Sequence, residues 1–234
     1  MTASDSGRDR GTGDASRAPA IALEGAARRM GRETVLDGID LEIAPGRVVV
    51  LRGANGAGKT TLLRMLATRL RPTRGSGRVF GFDLVTQAAE VRRRVGLLSV
   101  LGGNYPVLTA RENLRLAMAL SGGPDAAAID DVLDRVRLEE AANKLVRTYS
   151  SGMKKRLGLA RLLLRDPDLW LLDEPYAALD DAGKRLVDEA IRRGRQAGRT
   201  VLMASHESGR EGLAPDAVLE LAGGRVQVAA GGGE

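Results

Sequence analysis

Gly53-Ala54-Asn55-Gly56-Ala57-Gly58-Lys59-Thr60 gathers three glycines, a lysine and a hydroxyl into one short segment. The spacing is G-x-x-x-x-G-K-[ST], the pattern of a phosphate cradle. Glycines let backbone N–H groups close around phosphate oxygens, Lys59 brings a point charge, and Thr60 offers a hydroxyl to Mg²⁺. Such a cradle needs a strand before it and a helix after it. Val48 to Leu51 is an apolar run of strand length, and from Thr60 to Leu70 the residues Leu62, Leu63, Leu66 and Leu70 share one helical face. In that context Gly53, Asn55, Gly56, Gly58, Lys59, Thr60 and Thr61 read as a nucleotide-binding set. A merely structural glycine turn would leave Lys59 and Thr60 unexplained.

Further along, Leu169-Trp170-Leu171-Leu172 runs directly into Asp173-Glu174-Pro175. Two acids at the end of a buried strand need a reason, because unpaired buried charge is costly. Asp173 can hold Mg²⁺ through water, and Glu174, turned to the other side by the period of two, can polarise an attacking water. Tyr149-Ser150-Ser151-Gly152-Met153 opens a helix whose first turn carries Lys154, Lys155 and Arg156. Cations there oppose the helix dipole. A bound polyphosphate would account for them, as would a Ser-capped helix with a solvated basic turn. The one histidine, His206, follows the strand-like run Thr200 to Ala204, beside the phosphate strand. It fits a surface or packed residue, or a group reaching a γ-phosphate or the attacking water.

These residues must be carried by an α/β scaffold. Ile21 to Glu24 and Val35 to Ile43 alternate like half-exposed strands, and Val79 to Phe82, Val95 to Val100 and Val218 to Leu221 add further candidates. Thr109 to about Leu164 has helical character, broken at Ser121 to Pro124 and at Thr148 to Gly152, and Asp181 to Ala197 is a charged helix. Strand and helix alternate around a helical insertion, which predicts a parallel α/β core with a small helical subdomain at about 103–163. Residues 1–19, rich in Ser, Gly, Asp and Arg, read as a disordered tail, 20–226 as the folded domain, and 227–234 as a loose tail.

Composition removes several classes of chemistry. The 234 residues contain no Cys and a single His, so disulfides, thiolate metal sites and histidine relays are excluded or improbable. The absence of Cys fits a reducing, cytosolic compartment. No apolar run approaches the roughly 18 to 20 residues of a membrane helix, so a soluble chain is expected. The balance of 36 Lys+Arg against 30 Asp+Glu gives +6, which permits an anionic partner and also suits an Arg-rich solvated surface.

Together the motifs resemble the ATP-binding cassette (ABC) ATPases, the motor subunits of ABC transporters, across Ile21 to Val226. The phosphate loop, the signature Tyr149 to Met153, the Mg²⁺ strand with Glu174, the turn Ala178-Leu179-Asp180 and His206 stand in the family's order. The resemblance implies a P-loop NTPase (RecA-like) core with an antiparallel β subdomain and a helical signature subdomain. It implies ATP and Mg²⁺ as ligands, with Thr60 and Asp173 at the metal and Lys59, Glu174 and His206 in hydrolysis. It also implies a second cassette, whose phosphate loop would meet Ser150 and Gly152 across a composite site, and an integral membrane subunit docked near Leu98 to Arg111 through Tyr105, Pro106 and Leu108. Localisation would be cytoplasmic, at the inner face of the cell membrane, with no nucleic-acid partner.

Four positions depart from the family pattern. Met30 stands where an aromatic usually stacks on adenine, a softer contact costing about 1 kcal/mol. Val100 takes the place of a glutamine that touches Mg²⁺ and water. Ser151 and Met153 replace a glycine and a glutamine of the signature. The Leu-Trp-Leu-Leu-Asp-Glu-Pro strand looks like that of the haem-exporter ATPases of cytochrome c maturation, while drug and polysaccharide exporters of the ABC-2 type are similar. A nucleotide-gated cassette that hydrolyses poorly is one alternative, and a nucleic-acid ATPase of the same fold is another, disfavoured because such relatives usually carry a long coiled-coil insertion or two cassettes in tandem.

Overall fold

A computed structural model describes residues 18–99, 103–121, 127–206 and 214–228. Most of the expected tail (1–17), the break at 122–126, Val100, and residues 229–234 lie outside them. In chain order the elements begin with β1 (Ile21–Met30), β2 (Glu33–Ile43), β3 (Val48–Arg52), α1 (Lys59–Leu66), β4 (Arg74–Val79) and β5 (Phe82–Asp83). They continue with α2 (Ala88–Arg94), β6 (Val95–Leu98), α3 (Ala110–Ser121), α4 (Ala127–Arg135) and α5 (Ser151–Arg165). The last are β7 (Leu169–Asp173), α6 (Asp181–Gln196), β8 (Thr200–Ala204), β9 (Ala217–Ala222) and β10 (Arg225–Val228).

Two sheets organise the chain. One is antiparallel with order β2-β1-β4-β5; the other has order β10-β9-β3-β8-β7-β6 and is parallel except at its β10 edge. The strands β3, β7 and β8, apolar except for Arg52, Asp173 and Thr200 at their ends, are covered on both faces, which is why they lack polar alternation. Val49, Leu51, Leu169, Leu171, Leu202 and Ala204 face α1 and the antiparallel sheet. Their neighbours Val48, Val50, Trp170, Leu172, Val201 and Met203 face the core shared with α3, α4, α5 and α6. Trp170 is 2% exposed, and its indole Nε1–H donates to the Pro167 carbonyl at 3.0 Å. It lies so close to α6 that a Cβ on Gly194 would stand 3.1 Å from the ring.

Three sequence expectations are corrected and one element is added. The run Val79 to Phe82 is not one strand: Phe80 and Gly81 take φ of 47° and 80° and turn the chain so that Val79 pairs with Phe82. Positive φ at both central residues is the geometry of a tight hairpin, hidden in the sequence by its apolar residues. Helix α1 stops at Leu66, short of Leu70, because Thr68 enters the left-handed region with φ 57°. Leu70 still packs on the core from outside the helix. Gln227 and Val228 are not loose but pair with Glu220 and Leu219. Helix α2 is an addition; with Val91 as its one buried residue, it offers no apolar face to read.

Asp216 staples the start of β3. Its carboxylate accepts from the Val48 N–H at 2.7 Å, from Arg47 at 3.0 Å and from Arg195 at 3.1 Å. Burial raises its pKa, but the Val48 N–H and the two guanidiniums outweigh this and hold it below 3.8. A depressed folded pKa means the stabilisation is present above the unfolded value and is lost as pH falls through the folded one. Asp216→Asn should therefore cost about 1–2 kcal/mol at pH 7. In urea unfolding, the gap from wild type should close as pH drops below the carboxylate range.

Candidate nucleotide site

Strand order builds the site. Strand β8 lies between β3 and β7, so the loop after β3, the residue after β8 and the acids at the end of β7 emerge side by side on one edge. There they surround a cavity of about 210 Å³. Asn55, Gly56, Gly58, Lys59, Thr60, Thr61, Asp173, Glu174 and His206 line it, joined by Ala54, Ala57 and Val35. Gly53 sits at the base of the loop, where φ of 147° and the Leu221 carbonyl, 2.3 Å from a hypothetical Cβ, require glycine. Gly58 begins α1 with φ of 107° and would strike Leu36 at 2.9 Å if it carried a Cβ. Helix α1 has no side-chain cap and no acid in its first turn, leaving its N-terminal N–H groups for an anion.

Lys59 is 7% exposed and, among the described residues, forms no ion pair with a carboxylate. Its ammonium donates to the carbonyls of Gly53 at 2.6 Å and Ala54 at 3.2 Å, and lies 3.0 Å from His206 Nε2. The same Nε2 is 3.3 Å from Glu174 Oε1. One ring nitrogen cannot accept from an ammonium and donate to a carboxylate at once. With Nε2 accepting from Lys59, the nearby carboxylate gains no proton from the ring, and Glu174 Oε1 is a buried oxygen without a hydrogen-bond partner.

Glu174 differs from the expected alternation. Its φ of 46° ends the extended backbone, so its side chain is directed by a left-handed kink and not by the period of a strand. Its N–H still donates to the Ala204 carbonyl at 2.9 Å, holding it against β8. Asp173 is 2% exposed and accepts from Thr60 Oγ1 at 3.0 Å. A hydroxyl and a carboxylate side by side, with an orphaned carboxylate oxygen close by, suit Mg²⁺, which takes few protein oxygens and completes its shell with water and phosphate. Among the described residues no cluster of three or more His, Cys, Asp or Glu suggests another metal.

Other expected residues stand elsewhere. Met30, 47% exposed at the end of β1, does not line the cavity; Val35 supplies an apolar wall there. Both lie on the β1–β2 hairpin. Ser150 and Gly152 are outside the cavity, at the start of α5. The Ser150 hydroxyl caps that helix by accepting from the Met153 N–H at 3.2 Å. Gly152 packs so closely on the Ala178-Leu179-Asp180 turn that a Cβ would stand 2.8 Å from the Ala178 carbonyl. The basic first turn of α5 does not form one phosphate-facing patch. Lys155 points inward and is 4% exposed, and Arg156 donates to the Arg137 carbonyl at 3.3 Å.

Comparison with known proteins agrees with this geometry. The ABC transporter family profile matches residues 36–177. The daunorubicin resistance ATP-binding protein DrrA3 of Streptomyces coeruleorubidus is 40% identical over 210 residues, 88% of this chain and 66% of that protein. This chain thus spans just under two thirds of that relative's length. The cytochrome c biogenesis ATP-binding export protein CcmA of Hyphomonas neptunium is 38% identical over 195 residues, 82% of this chain and 93% of that protein. A bacterial ABC transporter cassette solved as a dimer superposes with a TM-score of 0.79 at 25% identity, covering 88% of this chain and 96% of its own. With phosphate loop, acidic strand end and histidine on one edge of a parallel sheet, the chain belongs to the ABC transporter family of ATP-binding cassettes.

Proposed function

We propose that this chain binds ATP with Mg²⁺, hydrolyses it, and powers export through a separate membrane subunit at the inner face of the cell membrane. The observation that carries the reading is Glu174 Oε1, a buried carboxylate oxygen without a partner in the wall of a cavity otherwise built for phosphate. Lys59 exchanges the Gly53 and Ala54 carbonyls for phosphate oxygens, while Thr60 and Asp173 would hold Mg²⁺. When bound, the metal would supply positive charge that offsets the phosphate charge. Departure of Lys59 frees His206 Nε2 to orient the attacking water with Glu174. The water oxygen bonds to the γ-phosphorus as the bond to the ADP oxygen breaks, and the Glu174 carboxylate accepts the proton that leaves the water.

Ser150 and Gly152 lie outside the chain's own cavity, which supports their acting on nucleotide held by a second cassette, a second copy of this chain. The dimeric form of the solved relative supports the same arrangement. On the helical side, Tyr105 at 51% and Val107 at 71% exposure flank Pro106 and offer an apolar strip to the membrane subunit. Leu108, expected in that strip, is half-buried, and Val107 takes its place. No helix among the described residues is long and apolar enough to cross a membrane.

The cargo has two supported readings. The relative named for cytochrome c biogenesis, matched over nearly its whole length, supports haem export. The relative named for daunorubicin resistance, at higher identity, supports drug export. Identifying the membrane protein that co-purifies with the chain, and its transported compound, decides between them.

Lys59→Ala should abolish nucleotide binding and turnover together in equilibrium binding and phosphate-release assays. Glu174→Gln should keep binding and accumulate an ATP-bound dimer by size-exclusion chromatography; a monomer at saturating ATP and Mg²⁺ would count against the paired arrangement. Val100→Gln should raise kcat in the phosphate-release assay, and an unchanged rate would remove Val100 from the account of turnover.

A further inference from the structure

Helix α5 reaches the site from behind. Lys155, about one turn into the helix, is 4% exposed, and its Nζ donates to the Glu174 carbonyl at 2.9 Å. A longer contact of 3.4 Å reaches the Asp173 carbonyl. Both acceptors are main-chain groups at the point where β7 ends. Lysine is seldom buried this deeply without a reason. Burial pushes its pKa below 10.5, while the negative charges of Asp173 and Glu174 push it back up. An ammonium in this place is a cation beneath two acids that sit on one strand end.

The backbone there needs holding. Glu174 keeps a left-handed φ of 46° without being glycine, a conformation that persists only where neighbours over-determine it. Its N–H is tied to Ala204 at 2.9 Å, and its carbonyl accepts from the Ala177 N–H at 3.2 Å as well as from Lys155. The Ala204 and Ala177 bonds are main-chain bonds within the sheet edge and the following turn. Lys155 is the side chain that fastens the kink to a different element.

We propose that Lys155 is a positioning residue for Glu174: by clamping the Glu174 carbonyl it fixes where Oε1 stands in the cavity wall. The proposal rests on the reading of Glu174 as the group that polarises water. It gives α5 two tasks at one end, since the helix that begins with Ser150 and Gly152 also sets the hydrolytic carboxylate of its own chain. Signature and carboxylate then shift together whenever α5 shifts.

The test compares Lys155→Met and Lys155→Arg in the full chain by steady-state ATP hydrolysis with Mg²⁺, nucleotide binding and thermal unfolding. Lys155→Met removes the donor and keeps the length; it should lower kcat by about ten- to a hundredfold. KM should stay within about twofold, because the phosphate loop is untouched. Lys155→Arg, which restores a cationic donor, should recover most of the rate. If Lys155→Met does not fold, Lys155→Ala and Lys155→Gln serve in its place, Ala without a donor and Gln with a neutral one, and kcat should fall further in Ala than in Gln. A folded, ATP-binding Lys155→Met protein with wild-type kcat overturns the proposal, and so does a loss of rate that Arg leaves wholly unrepaired. Full activity in Lys155→Met beside an inactive Glu174→Gln overturns the proposal alone. An active Glu174→Gln protein overturns the reading of Glu174 and the proposal with it.

Discussion

The ammonium of Lys59 is buried among neutral dipoles. It is held by the carbonyls of Gly53 and Ala54 and by a histidine nitrogen, and among the described residues it forms no ion pair with a carboxylate. An isolated cation in that setting is costly unless its donors are all engaged, so the loop must curl until its carbonyls meet the amine. That curl is what requires the positive φ of Gly53, Gly56 and Gly58. It also fixes the start of α1, whose uncapped N–H groups then face the same space. The loop is thus shaped before a ligand arrives, and a phosphate needs only to displace weak neutral acceptors from a charge already in place.

The second constraint is topological. Because β8 separates β3 from β7, any residue just past β8 must fall between the phosphate loop and the acids. His206 therefore stands within 3.3 Å of both Lys59 and Glu174. Its position follows from strand order, a long-range property, although its type and place after Ala204 are local. The arrangement also explains how one imidazole can serve two neighbours in turn. Each of its hydrogen-bonding roles is available only when the other partner has moved.

Much of this was legible in sequence because it is local. The phosphate loop is a contiguous pattern between an apolar strand and an amphipathic helix, and the acids of β7 directly follow the apolar run that buries them. What escaped reading depended on tertiary contact or on backbone sign. The kink at Glu174 cannot be seen in residue types, since glutamate rarely adopts positive φ. Lys155 looked like part of a basic helix start because Lys154 and Arg156 flank it; only the packing of α5 on β7 separates it from them. Val35 was not read as a wall of the site, because its place there comes from the fold of the β1–β2 hairpin and not from motif spacing. The break at Phe80-Gly81 hid inside a hydrophobic run, and the pairing of Gln227 with Glu220 hid in a segment of low hydrophobicity.

Trp170 has a consequence of a different kind. It is the one tryptophan in the chain, beside three tyrosines and two phenylalanines, and it lies on β7 three residues before Asp173 with its ring against α6. Its ultraviolet emission is therefore not an average over many sites. It is a native optical probe, placed without labelling on the strand that ends in Asp173, and its colour and intensity register how tightly that strand is gripped by the helix behind it.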